Sequence, residues 1–138
     1  MKKKVYYEHD ILTGTSIGLE YEKYLHQSQS KYQNIEIIYS GKYGNAMYLD
    51  GCFMLSERNQ DYYHDKCISL VPSSVNNILI IGGGDYAIAS KLATQKAIKS
   101  IRIVEIDVEV INLSMKYFPK HFKLSKKNMS KISLTVQD

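Results

Sequence analysis

NILIIGGGDYA, residues 77–87 of this chain, is the stretch that decides the fold. Its unbroken apolar run is typical of a strand that is buried on both faces of a parallel sheet. Three glycines follow, and glycine lets the backbone turn sharply and lets a ligand approach it closely. A helical pattern through Ile88 and Leu92 comes next, and the N–H groups at its start face the turn. The stretch therefore predicts a strand, a ligand-binding turn and a helix in succession.

The next strand, predicted at residues 101–104, leads into an acidic residue. Glu105 lies 23 positions after Gly82, where a carboxylate can accept hydrogen bonds from both hydroxyls of a ribose. A helix is predicted at residues 108–118 and a third strand at residues 131–136. The order is β-α-β-α-β, the first half of a doubly wound sheet with strand order 3-2-1. These features predict a nucleoside ligand, and they leave the strand at residues 77–81 at an edge.

Asp85 narrows the kind of nucleoside. A carboxylate in this turn would repel a pyrophosphate, whereas it would hold a cationic group well. A nucleoside that carries a positive charge indicates adenosylmethionine or a relative of it. The alternative is that Asp85 only caps the following helix.

The chain before Ser56 has a different pattern. Residues 34–39 alternate as half-buried strands do, and Asp50-Gly51 is typical of a tight hairpin turn. After it, Ser56 is a predicted helix N-cap with Glu57 in the first turn, and the helix is predicted to end before Pro72. We therefore predict two domains, an N-terminal antiparallel β-hairpin domain at residues 1–56 and a truncated nucleoside-binding domain at residues 57–138.

Composition excludes several classes of protein. The chain has 138 residues, 44% of them hydrophobic, and no run approaches the roughly 18 apolar residues of a membrane span. Its two cysteines, Cys52 and Cys67, lack metal-binding or redox spacing, so we expect reduced thiols in a cytoplasmic protein. The pairs His9-Asp10 and His64-Asp65 lack the further ligands that a metal site needs, and no metal is predicted. Neither a membrane nor a nucleic acid is an expected partner.

The net charge of +4 comes from lysine, since the only two arginines are Arg58 and Arg102. Nucleic-acid readers rely on arginine for bidentate contacts. Six lysines lie close together late in the chain: Lys116, Lys120, Lys123, Lys126, Lys127 and Lys131. They form either a phosphate-binding patch or a solvated loop, and we favour the solvated loop because no aromatic side chains alternate with them beyond Phe122.

Six segments, in their order and spacing, resemble spermidine synthases, the polyamine aminopropyltransferases. They are residues 30–35, 49–51, 56–58, 63–65, 80–85 and 104–107. The resemblance implies an N-terminal β-domain followed by a methyltransferase-like Rossmann fold. It also implies a transferase of polyamine and spermidine biosynthesis, which moves an aminopropyl group from decarboxylated S-adenosylmethionine to putrescine and gives spermidine and methylthioadenosine. No tightly bound cofactor is expected, because decarboxylated S-adenosylmethionine is a co-substrate. A homo-oligomer is expected.

The resemblance also assigns site residues. Cofactor-binding roles fall on Gln33, Asp85, Glu105 and Asp138, and substrate-binding roles on Tyr63, His64 and Asp85. Gln33 and Asp138 would contact the nucleoside, Glu105 the ribose, Asp85 the amino group of the donor, and Tyr63 and His64 the polyamine. The chain differs from the family pattern at Tyr86 and Ala87, where glycines are usual, and at Met54, where a glutamine is usual.

The family's catalytic aspartate would lie beyond Asp138, so no catalytic residue is assigned and the isolated chain is expected to be inactive. The alternative is a non-catalytic nucleoside-binding or assembly protein derived from this fold. A methyltransferase is less favoured, because the N-terminal segments resemble aminopropyltransferases specifically.

Overall fold

The computed structural model describes residues 4–138, which form two compact units. The first unit runs to Gln60 and the second covers Asp61–Asp138. The expected division after residue 56 stays a prediction about domains. Among the described residues, no helix is long and apolar enough to cross a bilayer.

The first unit is antiparallel throughout. Its six strands are β1 (Lys4–Asp10), β2 (Thr15–Tyr21), β3 (Lys23–Gln29), β4 (Asn34–Ser40), β5 (Gly44–Leu49) and β6 (Cys52–Ser56). β1 and β2 form one two-stranded sheet, and the other four strands form a second sheet in the order β3-β4-β5-β6. The expected small antiparallel β-domain is therefore present.

β4 is the centre of this unit. Residues 35–38 are all buried, so the alternation that predicted a half-buried strand understates its burial. On one face, Ile38 and its neighbours Ala46 and Tyr48 pack against side chains of the β1–β2 hairpin, among them Leu19. Glu36 is also buried, and it accepts hydrogen bonds from the hydroxyl groups of Tyr6 and Tyr24. A buried carboxylate with these two donors is compensated for the water that it loses.

The hairpin turn between β5 and β6 has the predicted geometry. Asp50 and Gly51 both have left-handed backbones, with φ of 50° and 80°. Two positive φ angles in a two-residue loop are the mark of the turn that matches the twist of antiparallel strands. The Asp50 carboxylate also accepts from the Asn34 amide at 2.8 Å, which ties the turn to the start of β4.

The prediction that Ser56 caps a helix is wrong. β6 continues through Ser56, and the amide of Glu57 donates to the Asn45 carbonyl at 2.9 Å. The Glu57 side chain accepts from the Asn45 amide at 2.7 Å, so this residue pair extends the strand pairing. The helix starts only at Asp61, after Asn59 has taken a left-handed conformation with φ of 68°. Sheet hydrogen bonds thus outweigh the capping tendency of the serine.

The second unit is an α/β structure. Its elements are α1 (Asp61–Ser69), β7 (Asn77–Ile81), α2 (Ala87–Thr94), β8 (Ser100–Glu105), α3 (Val108–Tyr117), a 3-10 helix (Pro119–Phe122), α4 (Lys126–Met129) and β9 (Ile132–Val136). The three strands form a parallel sheet in the order β7-β8-β9. The expected β-α-β-α-β order and the edge position of residues 77–81 are confirmed within the described residues.

The sheet of the second unit is covered on one face. Its core combines Ile101 and Ile103 of β8 with Leu92 of α2, all of them buried. Side chains that point the other way are open, and Ile81 at the end of β7 is 84% exposed. Residues 77–81 thus fit a fully buried strand in composition, although three of the five residues are exposed here.

One lysine of the late cluster has a structural role. The Lys131 ammonium donates to the carbonyls of Ala93 and Gln95 at 2.7 and 2.9 Å. These carbonyls belong to the C-terminal end of α2, where the helix dipole favours a positive charge. Lys131 is therefore a cap for α2, which neither of the two interpretations of the lysine cluster includes.

Candidate functional site

The glycine-rich turn after β7 allows a close approach between backbone and side chains. Gly83 has φ of 77°, a left-handed conformation that L side chains rarely adopt. A Cβ on Gly84 would lie 3.0 Å from the Glu105 side chain and 3.0 Å from Ile111. Glycine at position 84 therefore lets the turn contact the end of the neighbouring strand.

Glu105 is the acid that this turn contacts. It is only 6% exposed, and its Oε2 accepts from the Gly84 amide at 2.9 Å. Its Oε1 accepts from the amides of Ile106 and Asp107 at 2.9 and 3.0 Å. Three backbone donors therefore fix the carboxylate at the carboxyl ends of β7 and β8, where α/β sheets bind ligands.

Asp85 makes the contact that the helix-cap alternative requires. Its Oδ1 accepts from the amide of Ala87, the first residue of α2, at 2.7 Å. A carboxylate has two oxygens, so this bond leaves Oδ2 available for a ligand. Capping and cation binding are compatible for this residue, and its role toward a ligand stays a prediction.

His64 is the buried residue of α1. It is 4% exposed, and its Nδ1 has no hydrogen-bond partner within residues 4–138. Burial lowers the pKa of His64 below its ordinary 6.5, while the Asp85 charge opposes this and the nearby His121 and Lys91 add to it. The inward-facing residue of α1 is thus a histidine, whereas its neighbour Tyr63 is exposed.

Tyr63 lies beside His64, with ring centroids 5.5 Å apart. A contact with Cys67, one turn along the helix, raises the pKa of Tyr63, and the Asp85 charge adds a smaller effect in the same direction. The turn after β7 and helix α1 come together in the second unit through His121, whose ring lies close to that of His64 and whose Nδ1 contacts the Asp85 carbonyl oxygen.

Lys91 joins α1 to α2 and was not predicted. Its ammonium lies 2.7 Å from an Asp61 oxygen and 2.6 Å from an Asp65 oxygen. The hydrogen bond from Lys91 lowers the pKa of Asp61 below its ordinary 3.8. Asp61 and Asp65 are one helical turn apart and His64 lies between them in sequence, so this ion pair fixes the segment that carries His64.

His121 was also missed as a candidate for the site. It is 6% exposed, and its Nδ1 lies 3.0 Å from the backbone oxygen of Asp85. Its ring centroid is 6.4 Å from that of His64. Within residues 4–138 no group of acidic, histidine and cysteine side chains could hold a metal ion. No sequence periodicity indicates a histidine inside a 3-10 helix.

The two remaining candidates belong to different units. Asp138 follows β9, and the amide of its neighbour Gln137 donates to the Glu105 carbonyl at 3.0 Å. Asp138 is therefore at the carboxyl end of the sheet, as Glu105 is. Gln33 belongs to the first unit, in the turn before β4, where its amide donates to the Ser30 hydroxyl at 3.1 Å. The roles of both toward a ligand stay predictions.

Comparisons with known proteins match nearly the whole chain. Residues 5–57 match the spermidine synthase tetramerisation domain, and residues 54–138 match the spermine/spermidine synthase domain. A polyamine aminopropyltransferase of Prochlorococcus marinus (strain NATL1A) is 43% identical over 109 residues, which are 77% of this chain and 38% of that protein. The polyamine aminopropyltransferase of Hydrogenobaculum sp. (strain Y04AAS1) is 35% identical over 100 residues, 70% of this chain and 36% of that protein.

Solved structures show the same fold. The crystal structure of spermidine synthase from Thermotoga maritima matches with a TM-score of 0.84 at 22% identity, covering 98% of this chain and 48% of that one. A spermidine synthase in complex with the transition-state analogue AdoDATO matches with a TM-score of 0.83 at 22% identity, covering 97% of this chain and 46% of that one.

The chain thus spans about two fifths of the length of these curated relatives and less than half of these solved chains. The α/β fold with an antiparallel N-terminal part, predicted from the glycine-rich stretch and the resemblance, is confirmed. The second family domain alone accounts for more than half of the chain. The chain therefore belongs to the spermine/spermidine synthase family.

Proposed function

We propose that this chain supplies the nucleoside-binding part of an aminopropyltransferase, which transfers an aminopropyl group from decarboxylated S-adenosylmethionine to putrescine. The observation that carries the proposal is the Glu105 carboxylate, held by three backbone amides at the carboxyl ends of β7 and β8. A carboxylate fixed before the ligand arrives loses little freedom on binding, so it is suited to accept the two ribose hydroxyls. The family supports the reaction class, since the relatives are named polyamine aminopropyltransferases.

The reaction requires a cationic donor and an amine nucleophile. The bond from the donor's methylene carbon to the sulfonium sulfur breaks while the amine nitrogen bonds to that carbon, and the sulfur leaves as a neutral thioether. In this scheme Glu105 holds the ribose, and Oδ2 of Asp85 holds the ammonium of the aminopropyl chain. Tyr63 and His64, which lie within electrostatic range of Asp85, flank the aminopropyl chain of the donor and the polyamine. Asp138, which follows β9, contacts the nucleoside.

The amine must also lose a proton, because an alkylammonium has a pKa of about 10.4. We assign that step to none of these residues. Both Glu105 oxygens already accept backbone N–H groups, and Asp85 caps α2 while it holds a cation. We therefore propose that residues 1–138 alone form no spermidine from putrescine and donor. Turnover by the purified chain that is lost in His64→Gln would overturn this assignment.

Calorimetric titration with methylthioadenosine tests the proposed function directly. Glu105→Ala should weaken binding by about 1.5–3 kcal/mol, the contribution of a hydrogen bond to a charged group. Glu109→Ala is the matched control, because it removes an exposed acid from the first turn of α3 in the same unit. Equal affinities of the Glu105→Ala and Glu109→Ala variants would reject the ribose role.

The open edge of β7 supports a second candidate, a non-catalytic nucleoside-binding or assembly protein. Ile81 is exposed there, and an apolar edge strand can pair with another chain. The match of residues 5–57 to a tetramerisation domain supports a homo-oligomer in either case. Both cysteines are free, which supports the proposed cytoplasmic location. Equal affinities for decarboxylated S-adenosylmethionine and methylthioadenosine would favour this candidate, because a protein without the transfer reaction needs no group that holds the ammonium of the donor.

A further inference from the structure

Tyr86 has a backbone conformation that needs support. Its φ of 63° is left-handed, and a bulky residue in that region is strained. It follows Asp85 directly and occupies the N-cap position of α2 without a side-chain cap of its own. A change in the φ angle of Tyr86 would relieve the strain, but it would also turn Asp85, with its carboxylate, relative to α2. Other contacts must therefore keep the turn in place.

The 3-10 helix provides two of these contacts from consecutive residues. The Phe122 ring packs on the Tyr86 ring with centroids 4.6 Å apart and planes inclined at 36°. The Nδ1 of His121 lies 3.0 Å from the Asp85 carbonyl oxygen. A carbonyl only accepts, so His121 must carry a hydrogen on Nδ1 to make this bond. Two neighbouring side chains of one helix thus contact two neighbouring residues of the turn.

The orientation of His121 is itself fixed by its surroundings. Its ring stacks on Phe118 with centroids 6.5 Å apart, and it meets the His64 ring edge to face. Pro119, at the start of the 3-10 helix, restricts the backbone that carries it. The imidazole is buried and held on several sides, so it can act as a fixed donor rather than as a mobile one.

We infer that His121 is a positioning residue, which holds the Asp85 carboxylate in the orientation that binds the cationic group of the donor. It acts through the Asp85 carbonyl, while Phe122 holds Tyr86 against the same helix. This inference rests on the proposed function for the identity of the ligand. It predicts that substitution of His121 weakens the binding of a nucleoside that carries an ammonium more than the binding of one that lacks it.

Two variants of one residue test the inference. His121→Leu removes the donor, and His121→Asn keeps an N–H close to the position of Nδ1. In titrations, His121→Leu should weaken the binding of decarboxylated S-adenosylmethionine by about tenfold more than the binding of methylthioadenosine. His121→Asn should recover most of the affinity for decarboxylated S-adenosylmethionine that is lost in His121→Leu. Equal losses for both ligands, or no rescue by asparagine, would overturn the positioning role.

A second measurement needs neither a ligand nor a variant. Long-range ¹H–¹⁵N NMR of the wild-type chain should find neutral His121 protonated on Nδ1, and the Nε2-protonated tautomer would overturn the inference.

Amide exchange provides a further check, because the Ala87 amide, bonded to Asp85 Oδ1, should exchange about tenfold faster in His121→Leu than in His121→Asn. If neither nucleoside binds the wild-type protein, the proposed function fails, and these two measurements still decide on His121.

Discussion

Replacing Glu105 by glutamine should destabilise the chain although the two side chains have nearly the same shape. The carboxylate accepts from three amides with two oxygens, whereas a glutamine has one oxygen and a donating NH₂ group. If the amide oxygen faces Ile106 and Asp107, the NH₂ group faces the Gly84 N–H, and one bond to a charged acceptor is lost. Such a bond contributes about 1.5–3 kcal/mol, and the contact between two donors adds to the loss. The opposite orientation loses two bonds.

Urea unfolding followed by far-UV circular dichroism measures this effect, since the chain has no tryptophan for fluorescence. A loss of about 2 kcal/mol lowers the midpoint by roughly 1 M, because urea slopes for small domains are about 1–3 kcal/mol/M. Glu109→Gln removes the same charge from an exposed site, and its cost should stay within the roughly 0.3–1 kcal/mol of a helix-dipole interaction. If the two variants unfold at the same urea concentration, the three amide contacts do not hold Glu105 as described.

Four further outcomes are expected. In titrations, Asp85→Asn should weaken the binding of decarboxylated S-adenosylmethionine by about tenfold more than the binding of methylthioadenosine. An equal loss of affinity for both ligands would leave Asp85 only the helix-cap role. Lys91→Met should lower the free energy of unfolding by about 1 kcal/mol or less and should raise the pKa of His64 in an NMR titration, whereas Lys91→Arg should do neither. The pKa of His64 is lowered by folding, so the unfolded chain binds the proton more readily. Stability should therefore fall as the pH drops from 6.5 to the lower folded pKa, and His64→Gln should flatten that slope, so an unchanged slope in this variant would contradict the prediction. In size-exclusion chromatography the wild-type chain should elute as a dimer or larger species, and Ile81→Lys should shift it toward the monomer; a wild-type monomer contradicts the edge-pairing argument.

The sequence predicts those parts of the fold that depend on neighbouring residues. The apolar run before the glycines predicts β7, and the alternation of strands and helices predicts its edge position. Asp50-Gly51 predicts the hairpin turn, because only a few residue types accept two positive φ angles. A serine before an acid is typical of a helix start, yet Ser56 starts no helix because the hydrogen bonds of Glu57 to the preceding strand, β5, compete successfully. That competition depends on Asn45, eleven residues earlier, and a local pattern does not contain it.

The sequence likewise predicts some residues of the candidate site and not others. Glu105 and Asp85 stand at the ends of predicted elements, so their neighbourhood follows from the topology of a parallel sheet. Lys91 and His121 have no such signal. In the sequence Lys91 looks like any exposed helical lysine, because its partner Asp61 is on α1 and only the packing of α1 against α2 brings the two together. The contact of His121 with the Asp85 carbonyl depends on the path of the chain after α3. Contacts of this kind arise from tertiary packing and are absent from sequence periodicity.

The contact between Gly84 and Glu105 makes two distant positions a single mutational unit. The residues are separated by 21 positions, but a Cβ added at position 84 would press on the Glu105 side chain at 3.0 Å, and removal of the carboxylate would take away the acceptor of the Gly84 amide. The effects of substitutions at the two positions should therefore be strongly non-additive in a double-mutant cycle. During divergence, a change at one position would be tolerated only after a compensating change at the other. The two positions are thus expected to co-vary, and the turn and the strand end to evolve together.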